Sequence, residues 1–381
     1  MSATRFLDYC RQQERWLLDT VIQLVRLESP TDDKAAVDRC GAMLADLLAG
    51  SGGRVTRLPS PTAGDHLKAE FGDGPTQVLL LGHFDTVWPV GQIGRMPVET
   101  SGGRLTGPGV LDMKAGIALG LLATRAVLAA GAPRTCRITM LWTTDEETGS
   151  RTSREHVEAE ARRSLAVLVL EPALASGALK TSRKGCGEFL IEAHGVAAHA
   201  GVDPGKGVSA IRELARQVLA VETLQDLDRG VSVNVGLVHG GTRPNVVAEH
   251  AAARVDVRAP TMADAARVEA AMLALTPHLP GARVAVTGGF ERPPMERSDG
   301  VAWLYEIARD VGAELGQQVT EGGTGGGSDG NFSAALGIPT LDGLGALGDG
   351  AHALHEHVLV DALVPRAALL AGLLSRLVQN A

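Results

Sequence analysis

Aromatic side chains are scarce in this chain of 381 residues, at 3%, so its cores must be built from Leu, Val, Ile and Ala. Cysteine is scarce too. Cys10, Cys40, Cys136 and Cys186 stand far apart without a Cys-x-x-Cys pair, which reads as buried free thiols and argues against a disulfide framework. There is no basic block and the net charge is −8, which argues against nucleic acid or an anionic membrane as partner. No run approaches the roughly 18 apolar residues of a membrane span. Asp8, Arg11, Glu14 and Arg15 interrupt the N-terminal stretch where a secretory signal would keep an apolar core. The expectation is a soluble, cytoplasmic protein.

Hydrophobic residues, at 45%, are ample for globular packing and argue against disorder. The chain is too long for one ordinary core, so two domains are expected. Residues 13–28 and 34–49 carry amphipathic helical spacing, the second stopped by the glycines at 50–53. Apolar runs at 77–81, 137–142 and 165–170 read as buried strands, and 113–130 as a helix between them. Uninterrupted apolar strands alternating with helices predict a mostly parallel α/β sheet covered on both faces. Between 184 and 290 the pattern changes. Strands at 187–193, 231–238, 252–258 and 282–287, with helices at 208–223 and 263–279, give a β-α-β-β-α-β order, the ferredoxin-like one. This predicts a smaller domain, 184–290, inserted into a catalytic one made of 1–183 and 291–381 and ending in a helix at 360–378.

Several polar residues follow apolar, strand-like runs, where sites form in parallel sheets. His83 precedes Asp85 by two, so on an extended segment both side chains share one side and Asp85 can hold the ring. Asp145, Glu146 and Glu147 follow a strand; stacked carboxylates suit either a solvated turn or a cation with a spare base beside it. Glu171 follows an apolar run and precedes Pro172. Asp112 suits a helix N-cap or a carboxylate bridging two cations. His352 is the favoured C-terminal ligand, with Glu356 supporting its ring, and His355 the alternative. A mixed His and carboxylate set fits zinc chemistry. The glycine run at 322–330, followed by Asn331, reads as a flexible linker or as backbone approaching a ligand carboxylate.

In order along the chain stand Gly-His-Phe-Asp-Thr-Val at 82–87, Gly-x-Gly-x-x-Asp-Met-Lys at 107–114 and Asp-Glu-Glu-Thr-Gly-Ser at 145–150. Glu-Pro at 171–172, Ala-His-Ala-Gly at 198–201, Arg-Pro-Asn-Val-Val at 243–247 and Gly-Gly-Gly-Ser-Asp at 325–329 follow. This series, over nearly the whole chain, resembles the di-zinc exopeptidase and deacylase family of glutamate carboxypeptidase, aminoacylase, acetylornithine deacetylase and succinyl-diaminopimelate desuccinylase. It looks most like the glutamate carboxypeptidase branch. The resemblance implies two Zn2+ ions, with Co2+ or Mn2+ as possible substitutes. Asp112 would bridge them, with His83 and Glu171 on one and Glu147 and His352 on the other. Glu146 would be general base and then general acid for a water acidified between the ions. His199 and Asn245 would stabilise the oxyanion, His199 often from a partner subunit. Arg292 would bind the substrate carboxylate, with Arg258 as competitor, and Gly326, Gly327 and Ser328 would line the substrate. The implied reaction releases a C-terminal, glutamate-like amino acid from an N-acyl or peptidyl substrate, in a homodimer formed through the insert. Deacylation of acetylornithine or succinyl-diaminopimelate type is the alternative, and a non-catalytic binding protein on the same fold a third.

Overall fold

The computed structural model describes residues 3–131 and 135–379. The chain forms two compact units, Met1–Thr181 with Arg297–Thr324 and Ser328–Ala381, and Ser182–Glu296 with Gly325–Gly327.

The first unit is built on a six-stranded mixed sheet. Its strands are β1 (Arg54–Leu58), β2 (His66–Phe71), β3 (Thr76–His83), β4 (Cys136–Thr143), β5 (Ser164–Val169) and the short strand Thr340–Leu341. The order is β1-β2-β4-β3-β5 and then Thr340–Leu341. From β4 onward all pairs are parallel, while β1 and β2 add antiparallel to the edge. Alternation along the strands splits the apolar side chains between two faces. Val78, Leu80, Ile138, Met140, Ala166 and Leu168 join the main core. Leu79, Leu81, Leu141, Val167 and Val169 pack with Phe332 on the other side. Because both faces are covered, β3 to β5 read as continuous apolar runs.

The helices Glu14–Arg26, Lys34–Gly50 and Ala115–Ala130 and the C-terminal helix Val360–Gln379 supply the main core. A further helix, Ala3–Gln12, precedes them and was not anticipated from the sequence. One expectation is corrected. Val110–Ala130 is long and apolar enough by length and composition to cross a membrane, and 78% of its apolar window is buried inside the protein. Ala and Gly make up half of Ala115–Ala130, and their small size helps the helix to be enclosed in the core. Cys10, Cys40 and Cys136 are buried and free, and Cys186 is free and half-buried.

In the second unit β6 (Gly185–His194), β7 (Ser232–Gly240), β8 (His250–Ala259) and β9 (Arg283–Arg292) form an antiparallel sheet of order β7-β8-β6-β9. Helices Ala210–Glu222 and Met262–Leu273 pack Leu214, Val221, Val268 and Met272 onto Phe189, Ile191, Val255 and Val257. The second helix stops at Leu273 rather than 279. Thr276 precedes Pro277, which disfavours helical backbone there, and Glu213 accepts the amides of His278 and Leu279 instead. The unit is also wider than 184–290. Arg183 and Met295 exchange backbone hydrogen bonds, and the Arg183 guanidinium donates to the carbonyls of Gly326 and Gly327.

Two glycines fix the chain around the end of β5. A Cβ added at Gly116, in the core helix, or at Gly345 would collide with the carbonyl oxygen of Leu170. Gly116→Ala is therefore expected to destabilise the protein by about 1–3 kcal/mol through overpacking. A lower urea midpoint at unchanged slope would show it, and an unchanged midpoint would refute the close approach.

Candidate functional site

Three neighbouring parallel strands end side by side, β4 at Thr143, β3 at His83 and β5 at Val169. The residues just beyond them are Asp145–Glu147 and Glu171, so strand register alone collects these carboxylates around His83. Asp112 arrives from the turn Val110–Lys114 with φ −114° and ψ 93°. Its backbone is not helical, and the position flanking the helix Ala115–Ala130 is Lys114, so Asp112 is no N-cap. His352 sits in a loop at φ 62°.

The side chains pair in a definite pattern. His83 Nε2 lies 3.2 Å from Asp112 Oδ1 and 3.5 Å from Glu171 Oε1. His352 Nε2 lies 3.3 Å from Asp112 Oδ2 and 3.1 Å from Glu147 Oε2. Asp112 thus turns one oxygen to each of two donor sets, each completed by one imidazole and one further carboxylate. A tetrahedral ion with bonds of about 2.0–2.1 Å sets its ligand atoms roughly 3.3 Å apart. The four separations, 3.1–3.5 Å, match that edge. Glu147 Oε1 is buried and has no hydrogen-bond partner among the described residues, an orphan that a cation would satisfy. The donors fit a pair of divalent ions. His355 faces Asp349 at 4.0 Å instead.

Electrostatics express the same crowding. Hydrogen bonds to Asp112 and Glu147 push the His352 imidazole up to about 10. Burial disfavours a charged His83, but bonds to Asp112, Asp85 and Glu171 outweigh it and raise its pKa. Burial likewise opposes ionisation of Asp112, and bonds from His352 and His83 override it to hold the carboxyl low. Glu147 is raised, chiefly by burial.

Supporting groups hold the donors in place. Asp85 is fully buried; its backbone oxygen and Oδ1 lie 3.0 and 3.3 Å from His83 Nδ1. Its carboxylate also accepts Thr31 Oγ1 at 2.8 Å and the amides of Glu146 and Glu147 at 3.4 and 3.3 Å. One side chain therefore fixes both a ring and the acidic turn. Glu356 departs from expectation. It does not support the His352 ring but accepts Trp88 Nε1 at 2.8 Å and the amides of Gly109, Leu111 and Asp112 at 3.0, 2.8 and 3.2 Å. Its carboxylate gathers orphan donors of the turn that presents Asp112, despite burial that raises its pKa. Arg366, the lone charge within an apolar stretch of the C-terminal helix, donates to the carbonyls of Gly343 and Gly345. Gly345 in turn donates to the backbone oxygen of Glu171 at 2.9 Å. That lone charge was a sequence signal for this clamp; the Glu356 clamp had none, because its partners are mostly backbone.

The remaining sequence candidates have partners within their own units. Ser328 is fully buried; its hydroxyl donates to Asp342 Oδ2 at 2.7 Å and its amide to Asn331. Its side chain is thus structural, unlike the substrate-lining role expected of it. Gly326 and Gly327 offer their carbonyls to Arg183 within the second unit. His199 and Asn245, also in that unit, are exposed on two loops that pair, Ala200 donating to the Asn245 carbonyl at 3.0 Å. His199 Nδ1 accepts the amides of Gly201 and Val202, each at 3.1 Å, so a neutral ring carries its proton on Nε2. Arg292 is buried on β9, while Arg258 is held by Asp256 through two bonds.

Residues 79–376 match the model of peptidase family M20/M25/M40. Carboxypeptidase G2 of Pseudomonas sp. (strain RS-16) is 30% identical over 369 residues, covering 93% of this chain and 88% of that protein. Succinyl-diaminopimelate desuccinylase of Stenotrophomonas maltophilia (strain R551-3) is 28% identical over 383 residues, 96% and 98% of the two chains. Among solved structures, aminopeptidase PepT from Bacillus cereus superposes with a TM-score of 0.77 at 23% identity, over 96% of this chain and 98% of that one.

Metal ligation needs neutral imidazoles, whereas His83 and His352 are raised and so protonated at pH 7 without an ion. Metal binding at pH 7 should therefore release about two protons per chain and weaken as pH falls. Titration calorimetry in buffers of different ionisation heat reads this directly, and binding without proton release would contradict the assignment. Glu356→Gln should lower metal affinity by about 10–100-fold, as loss of an outer support does. Unchanged affinity in competition with a chelator would show that the clamp does not matter.

Proposed function

The chain belongs to peptidase family M20/M25/M40, hydrolases of peptide and amide bonds, and on that premise we propose a metal-dependent enzyme of the carboxypeptidase kind. It cuts the amide joining an N-acyl or peptidyl group to a C-terminal amino acid, glutamate-like in side chain. The observation that carries this reading is Asp112, whose two oxygens each face an imidazole and, beyond it, a second carboxylate. His83 and Glu171 would hold one Zn2+ ion with Asp112, and His352 and Glu147 the other; Co2+ or Mn2+ would serve in their place.

Such a pair, when bound, acidifies water and polarises a carbonyl. The work of the chain's own residues is proton transfer and binding. Glu146, held on the turn fixed by Asp85, takes a proton from the attacking water and gives it to the amide nitrogen as the carbon–nitrogen bond breaks. A carboxylic acid and an amine result, and Glu146 ends as it began. His199, with its proton on Nε2, suits donation to the oxygen that becomes negative, and Asn245 to the same charge. Arg292 pairs with the substrate's free carboxylate. We assign the insert to homodimer formation and the enzyme to the cytoplasm.

A second reading, N-deacylation of the succinyl-diaminopimelate or acetylornithine type, is favoured by the similarity to the desuccinylase over almost the whole chain. A non-catalytic binding protein would need a broken donor set, and this one is complete.

Comparing kcat/KM on N-acyl-glutamates, peptidyl-glutamates, acetylornithine and succinyl-diaminopimelate decides between the readings. Higher values on the glutamate conjugates are expected, and activity indifferent to chelation would reject the metal mechanism. Glu146→Gln should retain its metal while turnover falls about 10²–10⁴-fold; near-normal turnover would remove Glu146 as the base.

A further inference from the structure

A second group of metal-capable side chains lies in the other unit, on the face of its sheet away from the helices. Glu192 and His194 stand two apart on β6 and so share a face. His250, at the start of β8, is the direct cross-strand partner of His194. The two rings lie 5.1 Å apart between centroids, and His250 Nε2 is 3.4 Å from Glu192 Oε1. One donor atom from each of the three residues lies within 4.8 Å of the others. Two imidazole nitrogens and one carboxylate suit a borderline-soft divalent ion such as Zn2+, Cu2+ or Ni2+ and disfavour Ca2+ and Mg2+, which take oxygen ligands. The strands supply rigid placement, and exposure of His250 leaves room for water in the remaining position.

We propose that Glu192, His194 and His250 bind one divalent transition-metal ion of the zinc class, distinct from the pair at Asp112. Its place suggests its effect. His194 leads straight into the loop bearing His199, and the loop bearing Asn245 runs straight into His250. Above the site these two loops form a ladder: Gly195 donates to Glu249, Val247 to Ala198 and Ala200 to Asn245, at 2.8, 2.9 and 3.0 Å. An ion joining His194 to His250 crosslinks the base of that ladder and stiffens both loops.

The test uses the full chain carrying Asp112→Asn and Glu147→Gln, so that failure of this site and failure of the proposed hydrolase site are read separately. Equilibrium dialysis with Zn2+ should show an ion whose affinity drops at least about tenfold on adding His194→Ala or His250→Ala, no less than loss of an outer support costs. Binding insensitive to both histidines, or no binding, overturns the site. Cu2+ on the chain with both histidines intact should give an electron paramagnetic resonance spectrum split by two imidazole nitrogens; a spectrum without nitrogen splitting overturns it too. Zn2+ should also slow amide hydrogen exchange at Ala200 and Val247. Zn2+ binding that leaves these rates unchanged would overturn the crosslink.

Discussion

The sharing of one carboxylate, Asp112, between two imidazoles governs the first unit. Asp112 and Glu147 place donor atoms within 4.8 Å of each other, where two like charges repel by about 3 kcal/mol at an effective dielectric near 20. Glu171 adds a third carboxylate. Protonated His83 and His352 relieve part of this, which is why both rings are pushed toward the charged form. Two divalent ions would relieve it more completely and would satisfy the orphan oxygen of Glu147 as well. The cluster is built for cations.

A crowd of charges keeps its geometry only if the backbone beneath it cannot relax. Three buried ionisable groups serve that purpose by bonding main-chain atoms. Asp85 binds the amides of the acidic turn, Glu356 those of the Asp112 turn, and Arg366 the carbonyls of the loop that donates to Glu171. Each takes hydrogen bonds that irregular backbone would otherwise leave unmade, and unmade bonds inside a protein cost about 1–3 kcal/mol apiece. Gly116 and Gly345 complete the constraint sterically, since both must lack a side chain for the end of β5 to pass between them.

How much of this the sequence disclosed follows from the kind of signal each feature leaves. Glu171 stood out because a polar residue directly after a fully apolar run is costly to explain otherwise. His83 and Glu147, each as well suited to a solvated turn, were singled out by the motif resemblance, and strand order places all three strand ends side by side. The element order of the second unit was legible through its periodicities, β6 to β9 occurring in the expected order. Glu356 was misread because its donors are mostly amides of a distant turn, and amides are invisible in a sequence. Ser328 was misread because a glycine-rich loop suggests ligand contact, whereas its hydroxyl closes onto Asp342. Val110–Ala130 was underestimated because small residues weigh little in a search for long aliphatic runs, yet they let a helix be enclosed on all sides. The helix that stops at Leu273 shows local proline chemistry overruling a pattern that continues.

The two metal-capable groups differ in burial, and burial sets what an empty site costs. His83 and Asp85 are shut away from water, so their charges need partners whether or not an ion is present, and the protein supplies them through protonated rings and backbone amides. Glu192, His194 and His250 keep access to solvent, which can hydrate them when no ion is there. The His83 half of the first group must therefore be folded around its ion or around substitutes for it, tying its occupancy to the stability of the first unit, while His352 is half exposed. The open group is free of that tie. An ion there can come and go with concentration while the sheet beneath it stays formed, leaving the order of the His199 and Asn245 loops as the property it changes.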